Sequence, residues 1–203
     1  MKPNLVFIAL LLLVYSCKKK SPADPGNTYD PNKPSFRIGS KWTYVYTAYD
    51  QSGAPINSSE DEYKVVRDTT INGTKYFIDS YGTYFGYKSD GAYFFEKNNN
   101  REVLYFKYPA PVNTTYAIAP AGPSCASNIS ITVMNTDTSY TYNTRSYDKL
   151  VYYIFNHTIV TCQGTGSTVK YLYSTKIGFF VYGRFANNNT TAYSTVELKS
   201  FTY

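Results

Sequence analysis

The sequence predicts a single all-β domain over residues 36–203, folded as an antiparallel β-sandwich or a barrel-like sheet of about a dozen strands. Short runs alternate tyrosine, phenylalanine, threonine and valine with polar residues, a pattern typical of half-buried strands. No segment of this region shows the 3.6-residue apolar period of an amphipathic helix. Turn signals such as Asn72-Gly73 separate the runs. These three observations favour strands over helices.

The strands follow one another closely along the chain. In the first, Lys41–Tyr49, side-chain alternation places Trp42, Tyr44 and Tyr46 on one face with Ala48. Asn72-Gly73 readily accepts positive φ and predicts a hairpin, and Ser89-Asp90-Gly91 predicts a second one. The remaining strands are predicted at residues 62–67, 75–80, 84–88, 92–97, 102–108, 129–135, 138–143, 147–155, 157–162, 168–175, 177–184 and 192–201.

The N-terminal residues have a different character from the domain. Residues 1–16 carry one lysine and then a run of about ten apolar residues, too short to span a bilayer of about 30 Å but typical of a signal peptide. Residues 17–35 begin with Cys17 and three lysines and continue rich in Pro, Asn, Asp and Ser, which predicts a flexible linker. The chain is thus expected to comprise signal, linker and domain.

Val14-Tyr15-Ser16-Cys17 resembles the lipobox of bacterial lipoproteins. This resemblance implies that Cys17 becomes the first mature residue, carries the lipid and attaches the protein to a membrane. The segments IGSKWTYVYTAYD, VVRDTTINGTKYF, YFGYKSDGAYFFE and KYLYSTKIGFFVYG are similar to those of uncharacterised all-β lipoproteins of Bacteroidota. The likeness implies a lipid-anchored protein of the outer membrane and implies no activity. Because lysines and not acidic residues follow Cys17, a periplasm-facing domain is expected in preference to a surface-exposed one.

Two further cysteines, Cys125 and Cys162, are predicted to form a disulfide, since an exported chain meets an oxidising compartment. The alternative is a pair of separate buried thiols. A further expectation concerns Asp68-Thr69-Thr70, which looks like the O-glycosylation acceptor of exported proteins in the same bacterial group and would modify Thr69. The alternative is that this stretch is unmodified and simply leads into the Asn72-Gly73 turn of the hairpin.

Catalytic side chains are scarce in this sequence. His157 is its single histidine, and no nucleophile elbow, zinc-protease motif or phosphate-binding loop is present. We therefore expect a protein that is not an enzyme and has no metal site and no cofactor. The net charge of +6 is not organised into a basic helix or an aromatic-basic ladder, so no nucleic-acid partner is expected.

The 24 tyrosines suggest a binding surface, because tyrosine combines an apolar ring with a polar tip. Two groups are candidate ligand-binding residues: Tyr84, Tyr87 and Tyr93, and Tyr171, Tyr173 and Tyr182. The spacing predicts that the rings of Tyr87 and Tyr93 approach across their hairpin, and alternation puts Tyr171 and Tyr173 on one face. The predicted function is a binding, adhesion or structural module for glycan or envelope protein. The alternative is a periplasmic carrier of lipid or another apolar ligand in a lipocalin-like cavity.

Overall fold

A computed structural model describes residues 37–119, 127–142, 144–159, 166–187 and 191–203. Within these ranges the chain forms twelve strands and one short 3-10 turn, Lys97–Asn99. The strands are β1 (Lys41–Tyr49), β2 (Pro55–Ile71), β3 (Thr74–Asp79), β4 (Tyr84–Lys88), β5 (Gly91–Glu96), β6 (Arg101–Lys107), β7 (Thr115–Ile118), β8 (Ser127–Tyr142), β9 (Arg145–Ile159), β10 (Ser167–Ser174), β11 (Phe179–Asn187) and β12 (Thr191–Thr202). The predicted all-β class is confirmed.

All twelve strands belong to one antiparallel sheet in the order β6-β5-β4-β3-β2-β1-β12-β11-β10-β9-β8-β7. The two outer strands approach each other. The Tyr116 hydroxyl, on β7, accepts a hydrogen bond from the Lys107 backbone N–H at 3.1 Å and donates one to the Tyr105 carbonyl at 2.7 Å. The sheet is therefore nearly closed, and of the two predicted forms the structure has the barrel-like one.

The two predicted hairpins are present. Asn72 and Gly73 have φ of 49° and 78°, and Ile71 pairs with Thr74 across the turn, as the Asn-Gly signal predicts. Lys88 pairs with Gly91 across the second turn.

The structure differs from the prediction farther along the chain, where two separate strands are predicted within residues 129–143 and two more within residues 147–162. Local register shifts keep β8 continuous through this region and paired with β9 along its length.

The interior is filled largely by aromatic side chains. One cluster is centred on Phe106, whose ring stacks on Tyr173 at 4.3 Å and meets Tyr153 edge-on at 5.2 Å. A second surrounds Trp42 and Tyr44, the inward residues of β1. Burying rings of this size supplies much of the hydrophobic stabilisation available to a sheet protein.

The far end of the β8–β9 hairpin forms an arm, defined here as residues 138–142 of β8 and 145–150 of β9. The arm lies against strands β11 and β12. Tyr140 donates a hydrogen bond to Glu197, and its ring is 5.0 Å from that of Tyr182. Leu150, at the base of the arm, is fully buried. Packing of the arm therefore covers part of the sheet that would otherwise face solvent.

The described residues contain no helix that is long and apolar enough to cross a membrane. Cys17, Cys125 and Cys162 lie outside the described residues, and so do the signal peptide and the linker. Lipidation, the disulfide and the predicted boundaries of residues 1–35 therefore stay predictions.

Candidate functional site

An open groove of about 480 Å³ lies where β4, β5 and β6 meet their connecting turns. Its volume falls within the range of roughly 300–1,000 Å³ that is usual for small-molecule sites. Both apolar and polar side chains contribute to its walls. The groove is lined by Gly82, Thr83, Tyr84, Phe94, Phe95, Glu96, Lys97, Asn98, Asn99 and Tyr105.

Aromatic rings form the walls of the groove. Tyr84 on β4 pairs with Phe95 on β5, and their ring centroids are 6.3 Å apart. Phe94 and Tyr105 contact each other at 4.6 Å and form the inner wall. All four rings are only partly buried, so their faces remain available at the groove surface.

Polar groups from the 3-10 turn form one rim. Glu96 accepts hydrogen bonds from Arg101 at 2.6 and 3.1 Å and from the Asn99 amide at 3.1 Å. The Arg101 hydrogen bond is the main cause of a lowered pKa for the Glu96 carboxyl, which therefore stays ionised. Arg101 balances this charge, so Lys97 leaves the rim with one net positive charge beside its amide and carboxylate hydrogen-bonding groups. Asn98 is exposed beside them.

A buried carboxylate positions the turn that precedes Tyr84. Asp79 is 3% exposed and accepts hydrogen bonds from the backbone N–H groups of Tyr81 at 2.9 Å and Thr83 at 2.8 Å. Gly82 occupies the tip with φ of 82°, a conformation that favours glycine. This local geometry fixes the backbone from which Tyr84 enters β4.

An apolar cavity of about 90 Å³ lies behind the inner wall. Tyr87, Tyr171 and Tyr173 line it, and Phe94 and Tyr105 line both the cavity and the groove. The contact between Phe94 and Tyr105 therefore separates the cavity from the groove. The hydroxyl of Tyr87 donates a hydrogen bond to the Gly178 carbonyl and is directed towards a neighbouring strand connection.

The six candidate tyrosines do not form one site. Tyr84 lines the groove, while Tyr182 packs against the arm. Tyr171 and Tyr173 share a face and line the cavity, as alternation predicts. The expected approach of Tyr87 to Tyr93 is wrong, because Tyr87 pairs with Ala92 while Tyr93 pairs with Gly86, which puts the two rings on opposite faces of the sheet.

Tyr93 belongs to a polar network on the outer face of the sheet. Its hydroxyl donates to Asp90 at 2.7 Å, and the Lys88 ammonium lies 4.8 Å from its ring centroid. Lys88 also forms an ion pair with Glu102, which accepts a hydrogen bond from Tyr76. These side chains are already engaged with one another, which distinguishes this surface from the groove.

The other candidates lie apart from the groove. His157, on β9, is half-buried, and desolvation lowers its pKa. Thr69 is partly exposed on β2, beside Asp68, which forms an ion pair with Lys75 at 2.7 Å. The described residues contain no group of three or more His, Cys, Asp or Glu side chains suited to hold a metal ion.

Sequence reasoning missed most of the groove. Phe95, Glu96 and Tyr105 are not among the candidate residues that the sequence suggests. The aromatic-rich stretch directly before three asparagines was the available signal. The contribution of Tyr105 had no such signal, because an irregularity in the β5–β6 pairing places it in the inner wall.

No protein-family model matches the chain, and no curated protein matches it at a significant level. Among solved structures, it is similar to a Bacteroides fragilis protein classed as exported, with a YmcC-like fold. The TM-score is 0.53 at 13% identity, over 84% of this chain and 98% of the other. A Parabacteroides distasonis protein classed as a lipoprotein aligns at a TM-score of 0.49 and 12% identity, over 84% of this chain and 98% of the other. The first likeness shows that this chain shares the fold of the B. fragilis protein.

Proposed function

We propose that this protein is a lipid-anchored, non-enzymatic module of the bacterial cell envelope that binds glycans in the β4–β6 groove. The observation that carries the proposal is the combination of aromatic walls and an amide-carboxylate rim in one open groove of about 480 Å³. Sugar rings present apolar C–H faces and polar edges, so they match such a surface. Envelope proteins remain the alternative partner class.

The groove suits a neutral or acidic glycan. Tyr84 and Phe95 supply apolar ring faces, and Asn98 and Asn99 supply amide donors and acceptors for hydroxyl groups. The Glu96 carboxylate retains acceptor capacity beyond its bonds to Arg101 and Asn99. Because the charge of Glu96 is balanced by that of Arg101, the groove does not demand a cationic ligand, and Lys97 can pair with an acidic substituent of the glycan.

A carrier of lipid is less well supported by the interior. The apolar cavity measures about 90 Å³, smaller than the engineered cavity of roughly 150 Å³ that admits benzene. An acyl chain would need Phe94 and Tyr105 to separate and the aromatic core to rearrange. Wild-type protein that purifies with a stoichiometric acyl lipid would reverse this preference.

The glycan proposal is tested with Tyr84→Ala, which removes an exposed wall of the groove. Binding of glycans found on an array should weaken by about thirtyfold, because aromatic hot spots typically contribute about 2 kcal/mol. Tyr193→Ala is the matched control, since Tyr193 is 42% exposed and lies outside the groove lining. Melting temperatures of both variants should equal that of the wild type. Unchanged glycan affinity in a folded Tyr84→Ala protein would reject the groove as the site.

The membrane anchor is proposed from the Val14-Tyr15-Ser16-Cys17 motif, and the exported class of the B. fragilis protein supports it. Cys17→Ala should abolish labelling by an alkynyl fatty acid and release the domain from membranes. The wild-type protein should label and remain with the outer membrane. A periplasm-facing domain should also survive protease treatment of intact cells. An unlabelled, soluble wild-type protein would refute the anchor.

A further inference from the structure

A second cleft, distinct from the glycan groove, separates the arm from the turn that joins β10 to β11. It measures about 370 Å³ and has one wall from each of these segments and a third from β12. It shares no lining residue with the groove. The cleft is lined by Arg145, Ser146, Tyr147, Asp148, Ser174, Lys176, Ile177 and Phe201.

The lining of this cleft carries excess positive charge. Arg145 and Lys176 contribute two cations against one acid, Asp148. Neither cation forms an ion pair with any residue in the described ranges, whereas Lys41 is paired with Glu62 at 2.9 Å. Unpaired cations that face one another across a cleft favour an anionic ligand.

Hydroxyl groups accompany the two cations. Ser174 is 6% exposed, and its oxygen accepts a hydrogen bond from the Ile177 backbone N–H at 3.2 Å, which leaves the hydroxyl proton free to donate. Ser146 is exposed on the opposite wall, and its hydroxyl shares a hydrogen bond of 3.0 Å with that of Thr141. When Thr141 donates in this bond, the Ser146 proton is available to a ligand. An oxyanion with several acceptor atoms can use both cations and both hydroxyls, which fits a phosphate group.

The position of the cleft indicates where that phosphate comes from. Lys41 and Trp42 begin β1 and pair with Thr202 and Phe201 of β12, so the cleft opens at the end of the domain where the N-terminal segment joins it. Tyr203 is 43% exposed beside it. When that segment is anchored by Cys17, this end of the domain lies nearest to the lipid headgroups.

We propose that the arm cleft binds the phosphate of an anionic lipid headgroup and holds this end of the domain against the membrane. The inference rests on the proposed anchor, because the anchor determines which end of the domain faces the membrane. It is independent of glycan binding in the groove. A basic residue close to an anionic surface strengthens membrane binding about fivefold. Two such residues should therefore contribute about thirtyfold.

The test compares full-length Cys17→Ala protein, which lacks the lipid, on two kinds of vesicle. One is pure phosphatidylcholine, and the other is an equimolar mixture of phosphatidylcholine and phosphatidylglycerol. For each protein variant, the partition coefficient on the mixed vesicles is divided by that on pure phosphatidylcholine. The apolar N-terminal segment contributes equally to both coefficients, so its contribution cancels in this ratio. Adding Arg145→Gln and Lys176→Gln should lower this ratio by about thirtyfold. The control pair, Arg67→Gln and Lys170→Gln, removes the same charge elsewhere and should lower it less than threefold.

Equal losses in the two double variants would overturn the proposal, because they would show a general effect of net charge. An unchanged ratio in the cleft variant would also overturn it and leave the lysines after Cys17 as the source of anionic preference. A third arm measures inorganic phosphate by NMR titration in the absence of vesicles. Tight phosphate binding without any anionic-vesicle preference would overturn the lipid assignment in favour of a soluble phosphate. Glycan binding by the cleft variant is measured in parallel and should be unchanged.

Discussion

Two tyrosines in the interior and two on the surface differ in what their hydroxyl groups contact. In the interior, Tyr44 donates to the Phe180 carbonyl at 2.9 Å and Tyr153 donates to the Lys107 carbonyl at 2.7 Å. On the surface, Tyr81 donates to the Asp61 carboxylate at 2.7 Å, and Tyr93 donates to Asp90 at the same distance. For these four residues the interior partners are backbone carbonyls and the surface partners are side-chain acids. Tyr76 combines the two arrangements, because its ring is buried while its hydroxyl donates to the Glu102 carboxylate.

This difference has a physical cause. A buried hydroxyl without a partner is costly, and a backbone carbonyl is a fixed acceptor that brings no charge into the core. Each interior bond also joins segments far apart in the chain, as Tyr153 and Lys107 illustrate. A carboxylate would be expensive to bury but keeps its hydration at the surface. Tyrosine therefore stabilises the core by bonds to the backbone in the interior, and it forms solvated polar networks at the surface.

The largest expected effect separates the two regions at high pH. Burial raises the pKa values of Tyr44, Tyr153 and Tyr173 above the ordinary value of 10. The unfolded chain therefore loses these protons first, so stability is fully present below pH 10 and is lost as the pH rises further. With about 1.4 kcal/mol per group at pH 11, these three residues alone should reduce the free energy of unfolding by about 4 kcal/mol. The raised pKa values of buried Tyr87 and Tyr171 add to this loss. Denaturant titrations at pH 9, 10 and 11 measure this loss.

Replacing one buried tyrosine provides the control for that experiment. Tyr153→Phe should remove about one third of the pH-dependent loss attributed to these three groups. A free energy of unfolding that stays constant from pH 9 to pH 11 would contradict the assignment of these rings to a solvent-excluded core.

A smaller effect concerns the hydroxyl groups themselves at neutral pH. Tyr153→Phe leaves the buried Lys107 carbonyl without this donor and should lower the free energy of unfolding by about 1–2 kcal/mol. Tyr81→Phe removes a bond to an exposed carboxylate and should change it by less than about 0.5 kcal/mol. Urea denaturation of the two variants measures the contrast. Equal losses of unfolding free energy in the two variants would contradict the prediction. They would show that a tyrosine bonded to a backbone carbonyl and one bonded to a carboxylate contribute alike.

The sequence is sufficient to predict the strands because their signals are local. Alternation locates Lys41–Tyr49, and positive φ at Asn72 and Gly73 is a property of those two residues. The four-residue strand β7 was missed because Thr115–Ile118 is too short to show a period. Continuity of β8 could not be predicted either, since it depends on pairing with β9.

The groove is less predictable because it depends on register. Tyr84 is a predicted ligand-binding residue, and it does line the groove. Assigning Tyr87 and Tyr93 to one surface failed, since the pairing partner of each residue decides which face it occupies. Tyr105 enters the inner wall beside an irregularity in the β5–β6 ladder. Such shifts arise from tertiary packing and have no dependable local signature.

The pairing of β1 with β12 has a consequence for how the domain folds. These strands lie at opposite ends of the domain sequence yet sit side by side in the middle of the sheet. During synthesis the first strand cannot acquire this neighbour until the last dozen residues have emerged. Closing so long a loop makes folding slow compared with domains built from local contacts. The sheet should thus remain open until β12 is available and then close in one late, cooperative step.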